Sequence, residues 1–254
     1  MTPNPLVLAA ALLALAGPAT AEVYLARDLQ TALAATLRKH GVGVGDRVVG
    51  YLPNIPETVV ALLATASVGA VWSVVNTDFG PAGVADRFAQ IEPKVLFVVD
   101  GYEFGGTVRD MTGSYEALLG VLPSVEQLIV VDQMEDGDVG PLPDSALRLS
   151  NILGEPAEPC YEQVPFEHPL WILYSSGTTG KPKGIVHSHG GVVLEFCKAL
   201  GLHAGLGPDD VAYYAVANLS ALTLRPEQRT LRVPRAVNVL GLALCLVIAF
   251  TLPP

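Results

Sequence analysis

The chain has 254 residues, half of them hydrophobic and 16% charged, with a formal net charge of −10. That length supports one large domain or two small ones with a real core, and that composition excludes wholesale disorder. The acidity excludes a general electrostatic affinity for nucleic acid, and no basic stripe interleaved with aromatics offsets it.

At the amino end, Leu6 to Ala16 is a short apolar run, broken by Gly17-Pro18 and followed by the A-x-A pattern Ala19-Thr20-Ala21. Residues 1–22 therefore resemble a secretory signal peptide, except that no Lys or Arg precedes the run. An alanine-rich helix or a misread start is the alternative. Asp28 to Lys39 then places Leu29, Leu33 and Leu37 near helical spacing, Gly41 to Asp46 reads as a turn, and Arg47 to Leu52 as a buried strand. Pro53-Asn54-Ile55-Pro56 is a break, with Pro56 suited to the first turn of a helix over Glu57 to Ser67 that Gly69 ends. Val71 to Val75 is the next strand. Thr77 or Asp78 is expected to cap a following segment, and Pro81 to Gln90 fits a helix.

Val95 to Val99 (VLFVV) and Leu128 to Val131 (LIVV) are continuous apolar strands. Such strands alternating with helices indicate a parallel sheet covered on both faces. Trp72 and Trp171 are expected in the core beside them. Asp132 to Gly140 is acidic and turn-rich. Its oxygens do not alternate as calcium ligands would, and position twelve of such a loop would be Pro143, so a solvated loop is expected. The proline-rich stretch Pro141 to Pro165 reads as a connection or a subdomain boundary.

Leu170 to Tyr174 is a strand followed by SSGTTGKPK, Ser175 to Lys183; Ile185 to His187 resumes an extended pattern and Gly190 to Leu200 fits a helix. Gly177 and Gly180 permit positive φ and close approach of backbone to ligand, and successive N–H groups can form an anion nest. Ser175, Ser176, Thr178 and Thr179 add hydroxyl donors, Lys183 adds a point charge for a phosphate oxygen, and Pro182 stiffens the chain beside it. This is not a Walker A loop, because only two residues separate the glycines and Lys181 precedes proline.

Ala236 to Leu252 carries no charge and follows Arg225, Arg229, Arg232 and Arg235. At about 1.5 Å per residue it could just span a bilayer core; a buried helix or an out-of-frame tail is the alternative. The three cysteines, Cys160, Cys197 and Cys245, lie far apart with no CxxC or Cys/His spacing. They read as free thiols, and no metal site is assigned.

The stretch YSSGTTGKPKG followed by HSHGG resembles the signature loop of the acyl-adenylate-forming (AMP-binding) superfamily of acyl-CoA synthetases, luciferases and peptide-synthetase adenylation domains. The flanks HPLWILYSSGTTGKPKGIVHSHGGVVLE, GDRVVGYLPNIPETVVALLATASVGAVWS, DFGPAGVADRFAQIEPKVLFVVDGYEFGG and LGLHAGLGPDD resemble the acetoacetyl-CoA synthetase branch more than the acetyl-CoA synthetase branch. The resemblance covers roughly Leu25 to Asp210. It implies the layered parallel-sheet α/β architecture of the amino-terminal part of such an enzyme, present incompletely over 25–210. It also implies a lipid-metabolism ligase that activates acetoacetate with ATP and Mg²⁺ through an acyl-adenylate and passes the acyl group to coenzyme A.

By the same resemblance, Ser175, Ser176, Gly177, Thr178, Thr179, Gly180 and Lys183 fall on the nucleotide-phosphate loop. His187 and His189 either face the pocket or are structural. No catalytic residue is assigned. Past about Val211 the later motifs of the family are not found, so 211–254 is expected to be an unrelated tail, with 236–252 as a membrane segment, and the coenzyme A site is expected to be missing. The resulting expectation is a ligase fragment inactive by itself; the alternative is a non-catalytic, membrane-attached remnant with weak or no nucleotide binding. Its partners are small molecules, not nucleic acid. Cytoplasmic placement suits ATP and coenzyme A, against the membrane or secretory placement that the two ends suggest.

Overall fold

A computed structural model describes residues 20–104, 107–134, 142–143, 145–152, 157–175 and 180–203, with backbone alone for 20–27 and 103–104. The expected leader over 1–22 lies mostly outside these residues. So do Cys245 and the expected tail with its apolar run 236–252. Residues 1–102 and 108–205 form one unit and 103–107 with 206–254 a second; the description concerns the first.

Helix α1 (Thr20–Lys39) leads through a turn into strand β1 (Arg47–Tyr51). Helix α2 (Pro56–Ser67), strand β2 (Val71–Val75), helix α3 (Pro81–Phe88) and strand β3 (Val95–Val99) follow, each close to its expected bounds. A short ribbon of β4 (Gly101–Phe104) and β5 (Thr107–Asp110) then leads to helix α4 (Thr112–Val121) and strand β6 (Gln127–Val131). Strand β7 (Leu147–Arg148), helix α5 (Leu149–Ile152), strands β8 (Pro169–Ser175) and β9 (Lys183–Ser188), helix α6 (His189–Phe196) and a π-helical turn over Cys197–His203 complete the described order.

Seven strands form one sheet in the order β7-β6-β3-β1-β2-β8-β9. Every described pairing is parallel except β8 with β9, which is antiparallel. The apolar runs explain the centre. VLFVV is buried at all five positions, paired on one side with β1 from Val48↔Val95 and on the other with β6 from Val95↔Gln127. Leu33 and Leu37 of α1, Ala61 and Ala64 of α2, Val84 and Phe88 of α3 and Leu118 of α4 join the same core. Fully burying each large apolar side chain stabilises the fold by about 1.5–3 kcal/mol.

Five expectations need correction. The cap of α3 is Gly80, with no side-chain cap bond and Pro81 in the first turn. Thr77 and Asp78 are engaged instead with Asn76, Thr77 Oγ1 donating to Asn76 Oδ1 and Asn76 Nδ2 donating to Asp78. Trp72 is in the core at 3% exposure, but Trp171 is only half-buried, because its strand lies one from the edge. The stretch 141–165 is more than a connection. It contributes β7, held at the sheet edge by Arg148, whose Nη1 donates to Asp132 Oδ1, while Ser150 N donates to Asp132 Oδ2. Asp132 is therefore an anchor and not part of a freely solvated loop. Burial pushes its pKa up, but the bonds from Ser150 and Arg148 outweigh burial and hold it below the usual 3.8. Finally, the helix after β9 begins at His189 and ends at Phe196, the chain continuing as a π-helical turn.

Candidate functional site

The signature stretch forms a β-hairpin at the edge of the sheet. Tyr174 pairs with Gly184 and Ser175 with Lys183, so the two ends of the glycine–hydroxyl segment face each other across the ladder. Gly180 has φ +98, a conformation that L side chains avoid, and this lets the chain reverse before Pro182. Ser176, Gly177, Thr178 and Thr179 lie outside the described residues. Strand alternation puts Ser175, Leu173 and Trp171 on the face that carries Lys183, Ile185 and His187. The Lys183 ammonium is exposed and has no ion-pair partner among the described residues.

Three long-range bonds hold this hairpin. Ser73 Oγ on β2 donates to Ile172 O at 2.7 Å. Tyr174 Oη donates to Arg87 O at 2.7 Å, and Gln90 Nε2 donates to Pro182 O at 3.0 Å. The end of α3 thus clamps both legs of the turn. Burial pushes the Tyr174 phenol above its usual 10.0, with the Arg87 charge acting the other way, so it stays a neutral donor. Arg87 itself lies 4.5 Å from the Phe79 ring centroid and donates from Nη1 to Gly83 O. Neither Arg87 nor Phe79 was expected at the site, because nothing in their local pattern differs from an ordinary helix and its approach.

The two histidines part company. His187 is exposed on the Lys183 face, its ring 6.2 Å from that of Trp171 in an edge arrangement. His189 belongs to the junction of β9 and α6. Ser188 caps that helix, its Oγ accepting from Gly191 N at 3.1 Å. His189 N donates to His168 O at 2.9 Å and Gly190 N to Phe166 O at 3.0 Å. The His189 ring lies 5.7 Å from that of His168, and its Nε2 is buried without a hydrogen-bond partner among the described residues. Burial first, and the neighbouring His168 second, lower its pKa from 6.5 to about 4. His168 donates from Nε2 to Gly69 O at 2.8 Å, which ties this corner to the turn before β2. The HSHGG stretch is therefore built as a strand-to-helix corner, and only His187 shares a face with Lys183.

Among the described residues no group of three His, Cys, Asp or Glu could hold a metal ion, and Cys160 and Cys197 are free and exposed. No helix among them is long and apolar enough to cross a membrane.

The chain is similar to known proteins over most of its length. The chain is 43% identical over 190 residues to acetoacetyl-coenzyme A synthetase of Rhizobium meliloti (strain 1021), covering 74% of this chain and 29% of that protein. It is 42% identical over 188 residues to acetoacetyl-CoA synthetase of Gallus gallus, covering 71% of this chain and 28% of that one. The solved acetoacetyl-CoA synthetase from Streptomyces lividans superimposes with a TM-score of 0.70 at 51% identity, over 74% of this chain and 28% of its own. The chain thus spans less than a third of the length of these relatives. Residues 26–222 match the AMP-binding enzyme family, and the chain belongs to that family.

Proposed function

We propose that this chain carries the phosphate-holding part of an ATP-dependent acid–thiol ligase whose acid is acetoacetate. The observation that supports it most is the Ser175–Lys183 pair. It closes a turn containing a positive-φ glycine, with an exposed ammonium at its exit that has no ion-pair partner among the described residues. Making an acyl-adenylate requires a carboxylate to approach a polyanion. Hydroxyl and backbone N–H donors from Ser175, Ser176, Gly177, Thr178, Thr179 and Gly180, with the Lys183 charge, reduce that repulsion and stabilise the charge of transfer. Of the two histidines, His187 is the one placed to reach a ligand on that face; His189 is structural. ATP and coenzyme A are the co-substrates. Mg²⁺ is commonly held by substrate phosphates with one or two carboxylates. The described residues offer no cluster for it, and no step is assigned to it.

The 254 residues match under a third of the relatives, so we propose that they bind nucleotide without completing ligation. A thermal-shift titration with ATP–Mg²⁺ tests this. Wild type is expected to gain stability with ligand concentration and Lys183→Ala to lose that response, because ligand bound only to the folded state stabilises it. Equal responses would sink the phosphate assignment, and release of acetoacetyl-CoA by the purified chain would overturn the inactivity. A non-catalytic remnant is the second reading. It is favoured by the apolar edge hairpin, where Leu173, Ile185 and Val186 are exposed by 42%, 47% and 57%. It predicts a weak or absent ATP response and a tendency to aggregate.

A further inference from the structure

Phe79 and Arg87 lie on the segment that follows β2, the strand hydrogen-bonded to β8 and parallel to it. Phe79 therefore leaves the sheet at the same carboxyl edge from which β8 runs into the signature turn. In open α/β sheets, ligands gather at that edge. The Arg87 side chain turns back along α3. It gives one N–H to Gly83 O and lays its guanidinium on the Phe79 ring, which is 44% exposed.

The company kept by the other half-buried cations makes Arg87 distinctive. Arg38 donates to Ser67 O and Cys160 O, and Arg47 to the carbonyls of Gly45, Ile91 and Glu92. Lys94 lies near Asp46 and Glu126, and Arg148 binds Asp132. Arg87 has one carbonyl and a ring, and no carboxylate among the described residues. A guanidinium has five donors, and partly desolvating it without partners is costly. Stacking on an aromatic face fixes its plane and leaves the remaining fork directed for a bidentate anion. The backbone of the same residue holds Tyr174, immediately before Ser175.

We propose that Arg87, seated on Phe79, takes a phosphate oxygen of the ligand held at the adjoining turn. The proposal rests on the phosphate reading of Ser175 to Lys183. Its chemistry is common to the triphosphate of ATP and the phosphates of coenzyme A, and the two are told apart by titrating each separately.

Binding of ATP–Mg²⁺ and of coenzyme A to the 254-residue chain is measured calorimetrically for wild type, Arg87→Gln, Arg87→Lys and Phe79→Leu. The expected result is a loss of roughly tenfold or more in affinity for one probe in Arg87→Gln. A smaller loss is expected in Phe79→Leu, and incomplete rescue in Arg87→Lys, which keeps the charge but not the planar fork. A loss confined to ATP assigns the triphosphate; a loss confined to coenzyme A assigns the coenzyme. Should Arg87→Gln fail to fold, the Arg87→Lys and Phe79→Leu affinities carry the test. If wild type binds and all folded variants bind equally well, the role of Arg87 is overturned while the turn's phosphate role stands. If wild type binds neither probe, both fall.

Discussion

Tyr174 Oη donates to the carbonyl oxygen of Arg87 at 2.7 Å, across 87 residues of chain. This one bond joins the strand that enters the signature turn to the helix that follows β2. Replacing Tyr174 with Phe keeps the ring and removes the donor. The Arg87 carbonyl, at the end of a short helix, then keeps the longer bond from Gln90 N at 3.2 Å. The expected loss is about 1 kcal/mol, or roughly 2–4 °C in Tm for a chain of this size. Urea denaturation of wild type and Tyr174→Phe reads it directly; an unchanged midpoint would mean the bond contributes nothing net.

Gly190 is tight for a different reason. A Cβ there would lie 2.1 Å from Phe166 Cδ2 and 2.3 Å from its Cγ. No backbone strain is involved; the glycine exists to let Phe166 lie against the corner, where Gly190 N also bonds Phe166 O. Gly190→Ala is expected to cost about 1–3 kcal/mol by overpacking. Because the Phe166 ring is half exposed, Phe166→Ala in the same chain should recover part of that loss. A double-mutant cycle measures the coupling, and strict additivity would rule the contact out as the cause.

The central strands were legible because burial on both faces leaves an uninterrupted apolar run, as in VLFVV. The partner order and the hand of β9 were not. KGIVHS reads as extended in either direction; it pairs antiparallel with β8 after a bend at the positive-φ Gly180. At the site, the hydroxyls, glycines and Lys183 were visible as a pattern because the chemistry is local. Arg87 was invisible because its relation to the turn runs through Tyr174, a contact with no sequence spacing. The two histidines of HSHGG looked equivalent. Their difference comes from strand alternation ending at Ser188, which leaves His187 on the ladder and turns His189 into the corner.

That corner sets a pH dependence. The native pKa of His189 is lowered from 6.5 to about 4 by burial first and by His168 second. Between these values the unfolded chain binds the proton more readily than the folded one. Its contribution to stability is therefore complete above pH 6.5 and is lost as pH falls through that window toward about 4. His189→Gln is expected to flatten the stability profile across that window. Urea midpoints from pH 7 downwards check this, and parallel profiles for the two chains would exclude His189 as the source.

Two glycines with equal room separate strain from sterics. Among the described residues, a Cβ at Gly180 meets nothing within 4 Å, and a Cβ at Gly120 meets nothing either. Gly180 has φ +98, whereas Gly120 lies in the last turn of α4 without positive φ. Alanine at 120 restricts the unfolded chain and suits a helix, so Gly120→Ala is expected to gain about 0.5–1 kcal/mol. Alanine at 180 has the same effect on the unfolded chain but must adopt a backbone conformation costing about 1–2 kcal/mol. Its net effect is therefore a loss, unless the turn opens to escape the strain. Opening would pull Lys183 off its register with Ser175, so Gly180→Ala should weaken ATP–Mg²⁺ binding even where global stability barely changes. Denaturation midpoints give the first quantity and titration calorimetry the second. A Gly180→Ala chain that kept both would show that the positive φ is not needed to hold the turn.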